Sequence, residues 1–390
     1  MKVLLGLCGS IAAYKALELA RLLIKHGAEV RFVLTKSALN FVTPLSCQTL
    51  SNNEVYYDQF VLTRGIKHLA LNDWVDILAV APATANMIGK AAGGIGDDLL
   101  STILLSFQGP VLFVPAMDQG MWENAIVTRN VSLLRDAGFH FLEPGFGALA
   151  SGRIGRGRFP SIDIIAGKIM AMHEKRGGLE GKRFLVTGGR TEEDLDPVRV
   201  VTNRSSGLMA TELVRAVHCR DGKVKGIFGE VTCPLPQDVD IVRVRTSAEM
   251  RSALLDHFPW CDCLVMAAAV GDYRPKKKSP VKIHAKTQRV EFEKNDDLLM
   301  EIAGQKGNRV VVGFSLEDSN HLIRARDKMK KKKLDLIVSN LTAAVGAQQT
   351  TASILRKTGK PLTFKTQTKW EVANRIIDEC MRSLTGKKRG

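Results

Sequence analysis

The stretch Val3-Leu4-Leu5-Gly6-Leu7-Cys8-Gly9-Ser10, continued by residues 11–26 and Gly27, decides the fold. Residues 3–7 are a short apolar run of strand length. Gly9-Ser10 supplies a tight turn, and from Ile11 apolar residues recur at helical spacing, with Ser10 as the expected N-cap and Gly27 as the stop. Strand, turn and helix in succession open a parallel sheet. The pattern recurs downstream, with short β-branched runs at 29–34, 76–81 and 111–115 and helical patterns at 83–92, 98–107 and 127–137. Strands alternating with helices predict a sheet covered on both faces.

At Glu174-Lys-Arg-Gly-Gly-Leu-Glu-Gly-Lys182 the pattern gives way to charge and glycine, and the opening is then replayed. Residues 183–187 read as a strand, Gly188-Gly189 as a turn, and a helix follows a long loop. Further strands are expected at 224–228, 262–266, 309–314 and 335–338, with helices at 248–257 and 321–332. The expected architecture is therefore α/β, with two Rossmann-like domains, each a mostly parallel sheet flanked by helices. Their bounds are 1–175 and 183–390, with 176–182 as linker. Neither half carries G-x-G-x-x-G, which disfavours a dinucleotide fold, yet both glycine turns can offer backbone amides to a phosphate at a helix start.

Length and composition agree with two cores: 390 residues, of which 45% are hydrophobic. Lys and Arg number 56 against 40 Asp and Glu, a formal charge of +16. Residues 1–180 hold 17 basic and 15 acidic side chains, so nearly all the excess lies in the second half. Such an excess suggests nucleic acid, a membrane surface or anionic ligands as partners. The seven cysteines are odd in number and scattered, and no His or Cys pair near Cys261 and Cys263 completes a zinc site, so no metal ligand is assigned. No apolar stretch reaches about 18 residues and the N-terminus lacks the parts of a signal peptide, so a cytoplasmic protein without membrane contact is expected.

Several segments collect at the expected C-terminal edge of the first sheet. They are Gly9-Ser10-Ile11, Thr35-Lys36-Ser37, Ala81-Pro82-Ala83-Thr84-Ala85-Asn86, Asp98-Leu-Leu-Ser101-Thr102 and Pro115-Ala116-Met117-Asp118. In this order they resemble the flavin-dependent cysteine decarboxylase family, in particular the first half of the bifunctional phosphopantothenoylcysteine decarboxylase/phosphopantothenate–cysteine ligases of coenzyme A synthesis. The resemblance spans nearly the whole chain and implies a flavodoxin-like FMN domain followed by a ligase domain. It implies that Gly9, Ser10, Ile11, Thr35, Ser37, Ala81, Thr84, Asn86, Ser101, Thr102 and Met117 hold FMN. It further implies that His68, in Ile66-Lys67-His68-Leu69-Ala70, is the active-site histidine, with a proton-transfer role suited to imidazole.

Two positions depart from the family pattern. Asp118 stands where the family has an asparagine against the substrate carboxylate, and Ser151 stands in the flap where it has a proton-donating cysteine. An ionised Asp118 about 4 Å from a carboxylate would cost roughly 4 kcal/mol at an effective dielectric of about 20. A serine hydroxyl is a far weaker acid than a thiol. These two changes predict impaired or altered decarboxylation.

In the second half, Asp196-Pro197-Val198-Arg199 and Asn203-Arg204-Ser205-Ser206-Gly207 resemble the ligase motifs in which Arg199 and Asn203 would stabilise an acyl-nucleotide. Leu208 and Ala210 replace a usual lysine and glycine. By the same resemblance Asp272, Lys282, Asn295, Asp297, Leu298, Phe314, Lys328 and Lys332 bind the nucleotide, and Lys282 also counts as catalytic. Lys328 and Lys332 lie four apart and share a helical face. Lys276-Lys277-Lys278, and the other lysines of the run 328–333, read as solvated charge.

The reaction so implied joins 4'-phosphopantothenate to cysteine at the expense of CTP, with Mg2+ bridging the phosphates. FMN-dependent decarboxylation to 4'-phosphopantetheine follows. The resemblance also implies a homo-oligomer with trimer contacts in the first domain and dimer contacts in the second. Two alternatives stand beside this expectation: an active ligase carrying a repurposed FMN domain, and a basic flavoprotein that binds nucleic acid. The second is disfavoured, because the lysine run has no interleaved aromatics.

Overall fold

The computed structural model describes residues 1–60, 67–236, 239–284, 289–317, 321–341 and 349–387. Ile66 of the histidine segment lies outside the described residues, as do Lys388 and Arg389. The chain divides into two compact units, Met1–Gly177 and Gly178–Gly390.

The first unit begins β1 (Lys2–Leu7), α1 (Ala13–Lys25), β2 (Glu29–Leu34), α2 (Pro44–Ser51), β3 (Val55–Tyr56), α3 (Lys67–Trp74) and β4 (Ile77–Ala83). It continues α4 (Ala85–Ala92), α5 (Leu99–Ser106), β5 (Val111–Pro115), α6 (Gln119–Trp122), α7 (Ala125–Asp136) and β6 (His140–Phe141). It closes with the hairpin β7 (Gly145–Ala148) and β8 (Ile154–Arg158), then α8 (Ile162–His173). Its sheet runs β3-β2-β1-β4-β5-β6 and every pair is parallel. Without the two-residue edge strand β3 this is the flavodoxin-like order. The strands are apolar along their length because both faces are covered: β4 and β5 are buried at every residue.

The start of α1 differs from the expectation. Ser10 is not its N-cap, because the Ala13 amide closes a turn on the Ser10 carbonyl at 2.9 Å and pushes the first helical residue on to Ala13. Ala12 occupies the cap position without a side-chain bond, while Ser10 Oγ accepts from the Ala12 amide at 3.3 Å. Gly27 does stop the helix, at φ +81°.

The second unit opens with β9 (Arg183–Gly188), β10 (Glu192–Asp194), β11 (Val200–Thr202), α9 (Leu208–His218), β12 (Lys223–Phe228), β13 (Asp240–Arg243) and α10 (Ser247–His257). It continues β14 (Cys263–Met266), β15 (Tyr273–Pro275), β16 (Phe292–Lys294), α11 (Leu298–Gln305), β17 (Val310–Glu317), α12 (His321–Lys331) and β18 (Leu336–Leu341). It ends with β19 (Gln349–Arg356), β20 (Leu362–Thr368) and α13 (Lys369–Lys387). The sheet order is β13-β12-β9-β14-β17-β18-β19-β20, parallel as far as β18 and antiparallel over the last two strands. The antiparallel pair and the long helix α13 were not among the expected elements. Helix α13 buries Val372, Ile376 and Cys380 on one stripe and packs on α9.

No helix among the described residues is long and apolar enough to cross a membrane.

Candidate functional site

In each unit the strand order reverses beside the first strand, between β1 and β4 and between β9 and β14. Open α/β sheets bind ligands at the carboxyl ends of such strands. A cavity opens at each of these points.

The first, of 550 Å³, is walled by the segments after β1, β2 and β4 and by the start of α5. It brings together Gly9, Thr35, Ser37, Thr84 and Asn86. A Cβ on Gly9 would lie 2.5 Å from Ser37 Cβ, so only glycine lets these two loops touch. Thr35 Oγ1 donates to the Leu7 carbonyl at 3.1 Å, and Thr84 Oγ1 caps α4 by accepting from the Met87 amide. These hydroxyls fix the loops that form the wall.

Sequence reasoning did not single out Cys8, Met87, Lys90, Asp97 and Met121, which also line this wall, and named Asp98 without assigning it a role. Lys90 Nζ lies 2.7 Å from Asp97 and 2.9 Å from Asp98. That contact holds the Asp97 carboxyl below the ordinary carboxylate range. Burial pushes the Cys8 thiol up to about 12, so it stays protonated.

Ser10, Ile11, Ala81, Ser101, Thr102, Met117 and His68 do not line this wall. Ile11 is exposed, whereas Ala81 is buried in β4. Ser101 is buried and its Oγ closes a capping box with Asp98. Thr102 Oγ1 donates to the Asp98 carbonyl at 2.8 Å and accepts from the Gln59 amide at 3.0 Å. His68 is half-buried on α3, which packs against α5.

Asp118 and Ser151 are brought together. The β7–β8 hairpin lies against the segment after β5, where the Met117 amide donates to the Gly157 carbonyl at 3.0 Å. Gly157, at φ +136°, has no room for a Cβ, which would meet the Met117 oxygen at 2.0 Å. Ser151 Oγ, at the hairpin tip, then donates to Asp118 Oδ2 at 3.2 Å. The other carboxylate oxygen accepts from the Gly120 amide at 3.0 Å and caps α6. The two positions that depart from the family pattern are thus bonded to each other.

The second cavity, of 570 Å³, gathers Asn203, Asp272, Asn295, Asp297, Leu298, Phe314, Lys328 and Lys332. Asn203 Nδ2 donates to the Ala269 and Val270 carbonyls at 3.2 Å, tying the loop after β11 to the end of β14. Asn295 Nδ2 donates to the Gly271 carbonyl at 2.8 Å, while the buried Oδ1 atoms of Asn295 and Asn340 have no donor among the described residues. Lys332 Nζ lies 2.7 Å from Asp297. Burial would raise the Asp297 carboxyl, but this lysine and the α11 amides outweigh it and hold the group below its ordinary value. Lys328 Nζ donates to the Phe314 carbonyl at 2.8 Å.

Arg199 and Lys282 stand outside this wall, in a cluster around the buried Asp196. Asp196 accepts from the amides of Val198 and Arg199 at 2.8 Å and of Ile283 at 3.1 Å, and Arg199 Nη1 donates to the Ile283 carbonyl at 2.9 Å. The network holds the loop of Arg199 against the loop of Lys282. Of the surplus lysines, Lys276, Lys277, Lys278, Lys330, Lys331 and Lys333 are exposed, with Lys276 paired to Glu291 and Lys278 to Asp194.

Residues 1–174 match the family model described as Flavoprotein, and residues 179–384 match that of the DNA/pantothenate metabolism flavoprotein C-terminal domain. The chain is 38% identical over 389 residues to the coenzyme A biosynthesis bifunctional protein CoaBC of Bacillus subtilis (strain 168), covering 97% of this chain and 96% of that protein. It is 35% identical over 406 residues to the CoaBC protein of Mycobacterium bovis, covering 99% and 97%. It is also 37% identical over 350 residues to a cysteine/cysteine sulfinic acid decarboxylase from an unknown prokaryotic organism, covering 86% and 98%.

Proposed function

The chain belongs to the family of the coenzyme A biosynthesis bifunctional protein CoaBC, and from that premise we propose how its two cavities divide the work. It is a bifunctional enzyme of coenzyme A biosynthesis, a phosphopantothenate–cysteine ligase and a phosphopantothenoylcysteine decarboxylase.

The cavity between β9 and β14 is the ligase site, and its substrates are 4'-phosphopantothenate, cysteine and CTP. The carboxylate of phosphopantothenate attacks the α-phosphorus and pyrophosphate leaves. The amine of cysteine then attacks the acyl carbon and expels CMP. Lys328 and Lys332 face the phosphates. The unsatisfied oxygens of Asn295 and Asn340 accept from ligand donors, since a buried acceptor without a donor is costly to leave unmade. Asn203 stabilises the charge of the acyl-nucleotide from this wall, and Arg199 and Lys282 are assigned the same role from the adjoining loops around Asp196. Mg2+ travels with the triphosphate.

The observation that carries this reading is the convergence of Asn203, Asp272, Asn295, Asp297, Phe314, Lys328 and Lys332 on one cavity from five separate stretches of chain. Incubation with phosphopantothenate, cysteine and CTP, with products resolved by mass, tests it. CMP and phosphopantothenoylcysteine should accumulate together, and the absence of CMP would end the reading.

The cavity between β1 and β4 fits FMN. Gly9 lets the backbone come close, α4 begins at the wall, and Ser37, Thr84 and Asn86 add polar groups. When bound, FMN supplies reversible two-electron oxidation of the cysteinyl side chain, which eases loss of CO2. His68 moves the proton. The Ser151–Asp118 hydrogen bond favours a second reading of this half, with a slow last step. A substrate carboxylate here would meet like charge, and the donor nearest it is an alcohol. Accumulation of the enethiol before phosphopantetheine would support it; prompt, stoichiometric phosphopantetheine would overturn it.

A further inference from the structure

Lys369 is the first residue of α13, far from every motif in the chain, yet its side chain lines the ligase cavity. It is 7% exposed. Its ammonium has no hydrogen-bond or ion-pair partner among the described residues, and burial holds its pKa below the ordinary lysine value. Glu212 and the Cys233 thiol act on it only at longer range. A buried lysine without a partner is costly and stays charged only where an anion meets it.

The wall beside it is the start of α9, since α13 packs on that helix and Ser206, Gly207, Leu208 and Met209 line the same cavity. Gly207 is the N-cap and has no side chain to offer, Ser206 Oγ accepts from the Leu208 amide at 3.4 Å, and the positive dipole end of the helix lies at the cavity. Lys328 and Lys332 belong to the other wall, on and just after α12, and are engaged there with the Phe314 carbonyl and Asp297. The cleft therefore has two cationic corners, and among the described residues the Lys369 ammonium has no hydrogen-bond or ion-pair partner in its own.

We propose that Lys369 and the first turn of α9 form a phosphate-binding corner of the ligase cleft. This rests on the ligase reading of that cavity. The phosphate comes either from the nucleotide or from the pantothenate substrate, and kinetics of the full chain distinguish the two. For the wild type, Lys369→Met, Lys369→Gln and Lys369→Arg, CMP release is followed with CTP varied, and then with 4'-phosphopantothenate and unphosphorylated pantothenate compared. Losing a charge-assisted bond to phosphate should cost about tenfold or more. If the nucleotide phosphate sits here, Lys369→Met and Lys369→Gln raise KM for CTP by that factor. If the substrate phosphate sits here, the same variants lose the preference for the phosphorylated substrate by that factor. In either case Lys369→Arg stays close to wild type. Unchanged KM for CTP together with unchanged substrate preference, in a folded variant, overturns the proposal, as does a fall in kcat alone. A wild type that releases no CMP defeats the ligase reading instead.

Discussion

The two cavities occupy the same place in their sheets and are built of different material. Between β1 and β4 the wall is glycine, hydroxyls and helix starts, its Lys90 is paired with two aspartates, and most of its hydroxyls are committed to holding loops. Between β9 and β14 the wall carries several lysines, and among the described residues the largely buried Lys369 has no ion-pair partner and two buried amide oxygens have no donor. The first wall holds its ligand by backbone and shape. The second does so with charge gathered from distant stretches of chain, which suits a site that stabilises phosphates during displacement.

The strongest way to break this contrast is to remove a ligase side chain and watch both reactions. Asn203→Ala should lower CMP release by roughly 10²–10³-fold, while supplied phosphopantothenoylcysteine is decarboxylated as before. Loss of both activities would mean that the two walls are not independent.

Acid offers a second test. Asp335 is buried; burial alone would raise its carboxyl, but Lys306 at 2.7 Å, the Val311 amide and Lys357 hold it below its ordinary value. Because the folded value is depressed, the stabilisation is complete above the unfolded value of 3.8 and is lost as pH falls below it toward the folded value. Asp335→Asn should destabilise the second unit by about 2–3 kcal/mol at neutral pH and flatten its acid limb, measured by denaturant melts against pH.

Gly9→Val should reduce flavin retention about tenfold through overpacking against Ser37, read from visible absorbance, with ligation intact. The smallest change expected is a gain. Ser151→Cys combined with Asp118→Asn should speed phosphopantetheine release several-fold, and general-acid catalysis leaves room for more.

How much of this was legible in the sequence differs along the chain. The strand at Val111–Pro115 stood out because both sheet faces are covered and the run is apolar throughout, and Glu29–Leu34 because its β-branched and aromatic residues outweigh Glu29 and Arg31. β20 did not, since it alternates half-buried and exposed residues and carries charge at the sheet edge. Helix α13 has an evident apolar stripe, but nothing local says that it ends beside α9. Lys369 was invisible for that reason: a lone lysine signals nothing until the fold sets it against a helix start. Ser101 shows the reverse, because the segment reads as ligand-binding while its hydroxyl closes the cap of its own helix.

The distance along the chain between the flavin cavity and α13 bears on the order in which activities arise during synthesis. The residues lining the flavin cavity all lie between Cys8 and Met121, so that cavity can form while the ribosome is still making the rest. Lys369 lies in α13, so the ligase cleft lacks one corner until the ribosome has passed that residue. At roughly 5–20 residues per second the gap is on the order of ten seconds or more. A chain released early could hold flavin yet fail to make the compound its flavin half consumes.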